Sequence, residues 1–148
     1  MDRLLVAAVV AGVVVAVVVW AQRRSPGPQP VPSPTIPSAV RRSDFDRPEA
    51  PWLVVVFTSR TCATCEGVLE RARPLESPEV AVVEAEVADR PDLHAAYGID
   101  SVPVTLVVDA AGEVVTSFAG PVSSAHLWAA VAEAREPGST PPDCSDGH

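Results

Sequence analysis

Lysine is absent from this chain: all eleven basic residues are arginine. With the high alanine and valine content, that usage fits a GC-rich bacterial genome. Basic charge is also scarce where nucleic acid would need it. From Trp52 to His148, five arginines face fifteen carboxylates, a balance of -10. A surface of that sign argues against nucleic acid and anionic lipid as partners of this region. Cysteine is scarce too. Three cysteines cannot build a disulfide scaffold; they suit one pair and one spare thiol. No cysteine stands directly after the N-terminal apolar run, which argues against a lipoprotein anchor, and there is no internal repeat.

Length leaves room for one domain and its attachments. Leu4 to Ala21 is eighteen uncharged residues, nine of them valine. As a helix it would be about 27 Å long at 1.5 Å per residue, close to a hydrocarbon core of roughly 30 Å. Residues 1–24 therefore read as a single-pass transmembrane anchor in the cell membrane. The competing reading is a cleaved signal peptide, since Val19-Trp20-Ala21 loosely fits a cleavage site. The length of the run, the offset of Arg3 by Asp2, and Arg23-Arg24 directly after it favour an uncleaved anchor. Those arginines, with Arg41 and Arg42 further on, lean the domain towards the cytoplasmic side. The difference is about one charge near the membrane, so a domain outside stays open.

Residues 25–50 read as a linker. Pro26, Pro28, Pro30, Pro32, Pro34 and Pro37 block helix and favour an extended polyproline-type spacer. Arg41 to Pro51 is a charged lead-in with room for a short edge strand. Residues 136–148 are polar, carry Pro, Gly and Ser, and read as a flexible tail.

Between them, residues 51–135 suffice for one small α/β domain. Leu53 to Phe57 is apolar and β-branched, the pattern of a strand covered on both faces. It runs out into Cys62-Ala63-Thr64-Cys65. Helical spacing is expected from Cys62 onward, with Val68, Leu69, Ala72 and Leu75 on one face. Cysteines three apart share a helical face and can close a small ring. At a helix N-terminus, unpaired N–H groups and the dipole favour thiolate over thiol. Arg60 would add to that effect and Glu66 would oppose it. The chemistry expected is reversible thiol–disulfide exchange, with Cys62 attacking and Cys65 resolving.

Further along, Val80 to Val87 alternates as a strand, and Asp89-Arg90-Pro91 reads as the start of a short helix with Asp89 as cap. Gly98 ends that helix. Val104 to Val108 and Glu113 to Phe118 form a hairpin, and Ser123 or Ser124 caps a last helix carrying Leu127, Trp128, Val131 and Ala132. The order β-α-β-α-β-β-α predicts a three-layer α/β/α sandwich around a four-stranded mixed sheet.

Trp52 to Ala134 resembles the thioredoxin superfamily. The resemblance rests on Cys62-Ala63-Thr64-Cys65 after a strand, Tyr97-Gly98-Ile99-Asp100-Ser101-Val102-Pro103, Leu106-Val107-Val108-Asp109 and Gly112-Glu113-Val114. It implies a cis bond at Pro103, lying against the cysteines, and a Val102 backbone that pairs with an extended substrate segment. It implies a protein disulfide or dithiol as substrate, and neither cofactor nor metal. The electron donor or acceptor is not named by it. Departures are Thr61 in place of the usual tryptophan and Ala63-Thr64 in place of Gly-Pro. Val56 stands where the family keeps a buried acid, and Glu84 falls near the position of that acid's lysine partner. Glu84 would serve as a proton relay only if buried near Cys65.

Other readings stay beside this one. A redox-inactive thioredoxin-fold adaptor would bind an extended segment beside Pro103. Cys62, Cys65, Cys144 and His148 contain zinc-ligand types, but 78 residues separate the two halves. Cys144 reads as a tail thiol. His94 and His126 read as residues of helix surfaces or edges, and Trp52 and Trp128 as core or edge packing.

Overall fold

The computed structural model describes residues 35–139. Four strands, β1 (Trp52–Thr58), β2 (Val80–Glu86), β3 (Val104–Val108) and β4 (Val114–Ala119), form one sheet in the order β2-β1-β3-β4. β1 and β2 run parallel, with Trp52 opposite Val80 and Thr58 opposite Glu86. β3 runs antiparallel to β1, with Leu53 opposite Val108 and Phe57 opposite Val104. β4 returns antiparallel to β3. The helices are α1 (Cys65–Ala72), α2 (Pro91–Tyr97) and α3 (Ser124–Arg135).

β1 shows why the sheet is covered on both faces. Leu53, Val55 and Phe57 enter one apolar cluster, which also holds Leu93 of α2. Val54 and Val56 enter the other, with Val68, Leu69 and Ala72 of α1 and Leu127 and Val131 of α3. The two-residue period of a strand sends alternate side chains to opposite layers, so a central strand such as β1 is apolar along most of its length. Each such side chain contributes roughly 1.5–3 kcal/mol relative to exposure.

Residues 38–50, grouped with the linker on composition, contribute Val40, Phe45 and Ala50 to the core. Val40 N–H donates to Gly112 O and Val114 N–H donates to Ser38 O, both at 2.8 Å. Arg42 is buried and donates to Asp109 O and Ala50 O, each at 2.7 Å. Phe45 stacks on Tyr97, whose hydroxyl donates to Asp44 at 2.6 Å. Burial, and that donation to Asp44, push the Tyr97 phenol above its usual range. The edge strand anticipated in this lead-in is a single bridge, Ala39 to Glu113, followed by a 3-10 turn at Arg42–Asp44.

Three local expectations are corrected. Helix α1 begins at Cys65, not at Cys62, because residues 59–62 form a separate turn closed by Cys62 N–H to Ser59 O at 3.0 Å. Asp89 does not cap α2: Arg90 occupies that position and no side chain caps it. His94 is buried rather than at a helix edge. Its Nε2 donates to Ala85 O at 2.8 Å and its ring meets Phe57 edge-on at 5.1 Å. Ser123 caps α3 as expected, accepting from His126 N–H at 3.2 Å, and Gly98 ends α2 at a φ of 65°.

The apolar run Leu4–Ala21, most of the proline-rich stretch, and Cys144 and His148 lie outside the described residues. Among the described residues, no helix is long and apolar enough to cross a membrane.

Candidate active site

The site is assembled where β1 ends. After Thr58 the chain makes the Ser59–Cys62 turn and enters α1 at Cys65. Cys62 and Cys65 are joined by a disulfide, with their Cα atoms 5.5 Å apart. Their surroundings differ. Cys62 is partly exposed, whereas Cys65, at the first position of α1, is only 2% exposed. The first N–H groups of that helix are unbonded within it, so a thiolate formed here meets the positive end of the dipole.

Thr64 occupies the N-cap position of α1, a place where threonine usually accepts a bond from the helix. Its hydroxyl makes no such bond. It lies 3.7 Å from Cys62 Sγ instead. Sequence reasoning gave Thr64 no role beyond filling the motif.

A second strand end meets the first. The Val102–Pro103 bond is cis. Because Val104 lies opposite Phe57, antiparallel register brings Pro103 beside Thr58, at the same end of the sheet as the cysteines. Pro103 is buried and its carbonyl accepts from Gly120 N–H at 2.8 Å. Among the described residues, the N–H and C=O of the half-buried Val102 have no hydrogen-bond partner.

The charged groups sit differently from the sequence expectation. Arg60 does not serve Cys62: its guanidinium lies 2.6 Å from Asp89 and 3.7 Å from Glu86. The bond to Asp89, then the two negative charges, raise its pKa further. Glu84 pairs with Val56 in register but is exposed, accepting from the Thr58 hydroxyl at 2.8 Å. The burial required of a relay is not met there. Glu66 is exposed on the first turn of α1.

Glu86 is the charged residue that sequence reasoning missed. It is 8% exposed and accepts from the backbone N–H groups of Arg60 at 3.0 Å, Ala88 at 2.8 Å and Asp89 at 3.2 Å. Burial alone would raise its pKa, but these N–H groups and the Arg60 charge outweigh it and hold the carboxyl below its usual range. The local part was legible, since an acid followed by a turn commonly accepts from the next N–H groups. The bond to Arg60, 26 residues away, was not.

Among the described residues, no cluster of His, Cys, Asp or Glu is arranged to hold a metal. An open groove lined by Trp52, Glu79 and Arg135 lies at the opposite end of β1, away from the cysteines.

No family model and no curated protein sequence matches the chain. A solved structure does: a mutant thioredoxin from Halobacterium salinarum NRC-1 aligns with a TM-score of 0.50 and 22% identity, covering 66% of this chain and 88% of that one. The chain has the thioredoxin fold. Within that fold the disulfide at the head of α1 and the cis-proline before β3 occupy one end of the sheet, as the resemblance implied. The thioredoxin fold here carries Val56 and Thr105 side by side under α1, both fully buried. The site therefore has no carboxylate in that row of the sheet except the exposed Glu84.

Proposed function

We propose that this chain is a membrane-tethered thiol–disulfide oxidoreductase acting on protein substrates. The observation that carries the reading is the Cys62–Cys65 disulfide at the start of α1, with Cys62 partly exposed and Cys65 enclosed. An attacking thiol must meet substrate, and a resolving thiol need only meet its partner. Cys62 is assigned the first role and Cys65 the second.

In the reducing direction, the Cys62 thiolate attacks one sulfur of a substrate disulfide. The Cys62–substrate bond forms as the substrate S–S bond breaks, and the other substrate sulfur leaves as thiolate. Cys65 then gives up its proton and attacks Cys62 Sγ, releasing the second substrate sulfur. The chain loses two electrons and the substrate gains them. The reverse sequence oxidises a substrate dithiol. The open N–H and C=O of Val102 suit backbone pairing with an extended substrate segment, as at an exposed strand edge. Pro103 beside it offers no competing N–H. The similar structure bears the name thioredoxin, which accords with this assignment.

Leu4–Ala21 supplies the anchor in this proposal and the proline-rich stretch the spacer. The arginines after the apolar run favour a cytoplasmic domain.

The decisive experiment follows reduction of a model peptide disulfide by the reduced full chain. Wild type should react, Cys62→Ser should not, and Cys65→Ser should accumulate a mixed disulfide visible as added mass. Equal behaviour of wild type and Cys62→Ser would refute the enzyme and leave the adaptor beside Pro103. Carbonate extraction checks the anchor: release of the chain into the soluble fraction would refute tethering.

A further inference from the structure

The Ser59–Cys62 turn has few ties to the rest of the fold. Cys62 N–H bonds to Ser59 O, Thr61 N–H bonds to Ser59 Oγ at 3.3 Å, and the Ser59 and Thr61 hydroxyls lie 3.0 Å apart. All of these close the turn on itself. Glu86 is different. As the last residue of β2 it stands opposite Thr58, the last residue of β1, and both of its carboxylate oxygens are used. One accepts from Arg60 N–H, in the middle of the turn. The other accepts from Ala88 and Asp89, and Asp89 in turn holds the Arg60 guanidinium. One enclosed side chain thus joins the turn before Cys62 to the loop between β2 and α2.

We propose that Glu86 is a positioning residue for Cys62, fixing the Ser59–Cys62 turn so that the two sulfurs stay within bonding reach. This rests on the thiol–disulfide reading above. A charge-assisted bond to a buried carboxylate is among the stronger ties a loop can have. Placing two reacting groups in fixed geometry raises their effective concentration. Without the latch the turn samples positions in which Cys62 faces away from Cys65. Ring closure then becomes less favourable, and the couple becomes easier to reduce.

The test is the equilibrium of the full chain with dithiothreitol redox buffers, quenched by alkylation and read by mass. Glu86→Ala should lower the equilibrium constant for ring closure about tenfold, which is a potential about 30 mV less negative. Glu86→Gln keeps one acceptor oxygen and should fall between, at about threefold, or about 14 mV. Val131→Ala, in α3 and 2% exposed in the wild type, loosens the core without touching the turn. It should lower Tm and leave the equilibrium constant unchanged. A Glu86→Ala value equal to wild type, or a Val131→Ala shift as large as that of Glu86→Ala, would overturn the latch alone. Should Glu86→Ala not fold, Glu86→Gln decides, and no shift in it overturns the proposal. A wild-type couple that never equilibrates with the buffer would overturn both this inference and the exchange activity it rests on.

Discussion

Reducing the Cys62–Cys65 bond should destabilise the fold, by an amount that ring size sets. The disulfide closes a loop of four residues, Cys62 to Cys65. The chain-entropy relation for a loop that small gives about 1.9 kcal/mol at 25 °C, an effect exerted on the unfolded chain. Reduction returns something. A Cys62 thiolate beside the N-terminus of α1 gains roughly 0.3–1 kcal/mol from the dipole. The net preference for the oxidised form is therefore about 1–1.5 kcal/mol, or roughly 5–10 °C in Tm for a domain of this size. By the thermodynamic cycle, the same free energy makes the folded couple roughly 20–30 mV more reducing than these cysteines in the unfolded chain. Urea unfolding of the full chain in mild detergent, followed by circular dichroism before and after phosphine reduction, measures the difference. The Cys62→Ser/Cys65→Ser double variant supplies a redox-silent reference and should match the reduced form within the dipole contribution. A reduced form as stable as the oxidised one, or more so, would refute the reasoning. It would mean that the folded site favours the open dithiol, the property of an oxidant.

Two glycines separate strain from collision. Gly112 and Gly120 both have a φ of 91°, but a Cβ at Gly112 would strike the Val40 carbonyl whereas one at Gly120 meets nothing. Gly120→Ala should cost about 1–2 kcal/mol and Gly112→Ala clearly more, by urea midpoint; equal costs would refute the docking of residues 38–40. Phe57→Ala should cost about 3–5 kcal/mol, since the ring is fully buried and carries the edge contact with His94; a loss below 1 kcal/mol would contradict the packing. Glu86 has a depressed folded pKa. Between that value and its ordinary one near 4.5, the unfolded chain binds more protons than the folded one, so stability rises with pH there. The contribution is present above pH 4.5 and lost as pH falls through the folded pKa. The urea midpoint of Glu86→Gln should therefore depend less steeply on acid pH than that of wild type, and parallel curves would count against the carboxylate's contacts.

The sequence by itself determined the elements that follow from short-range rules. The apolar run Leu53–Phe57 and the β-branched, largely apolar run Val104–Val108 became the two central strands, because strands enclosed on both faces favour apolar and β-branched residues. Gly98 and Ser123 ended and began helices where their backbone and side-chain chemistry allow. The Cys-x-x-Cys pair and Pro103 were legible as residues, and strand order then placed them at one end of the sheet. Tertiary structure alone decided which charges serve the site. Arg60 looked like a partner for Cys62, but a guanidinium goes to the nearest carboxylates, and sheet register put Glu86 and Asp89 there. Glu84 looked like a candidate relay, yet its place on the edge strand β2 leaves it in solvent, where its charge costs least to keep. His94 and residues 38–50 read as surface and linker because nothing local marks them as core. They are enclosed because the face of the sheet opposite α1 and α3 carries one short helix, and apolar groups beside the gap cover what it leaves exposed.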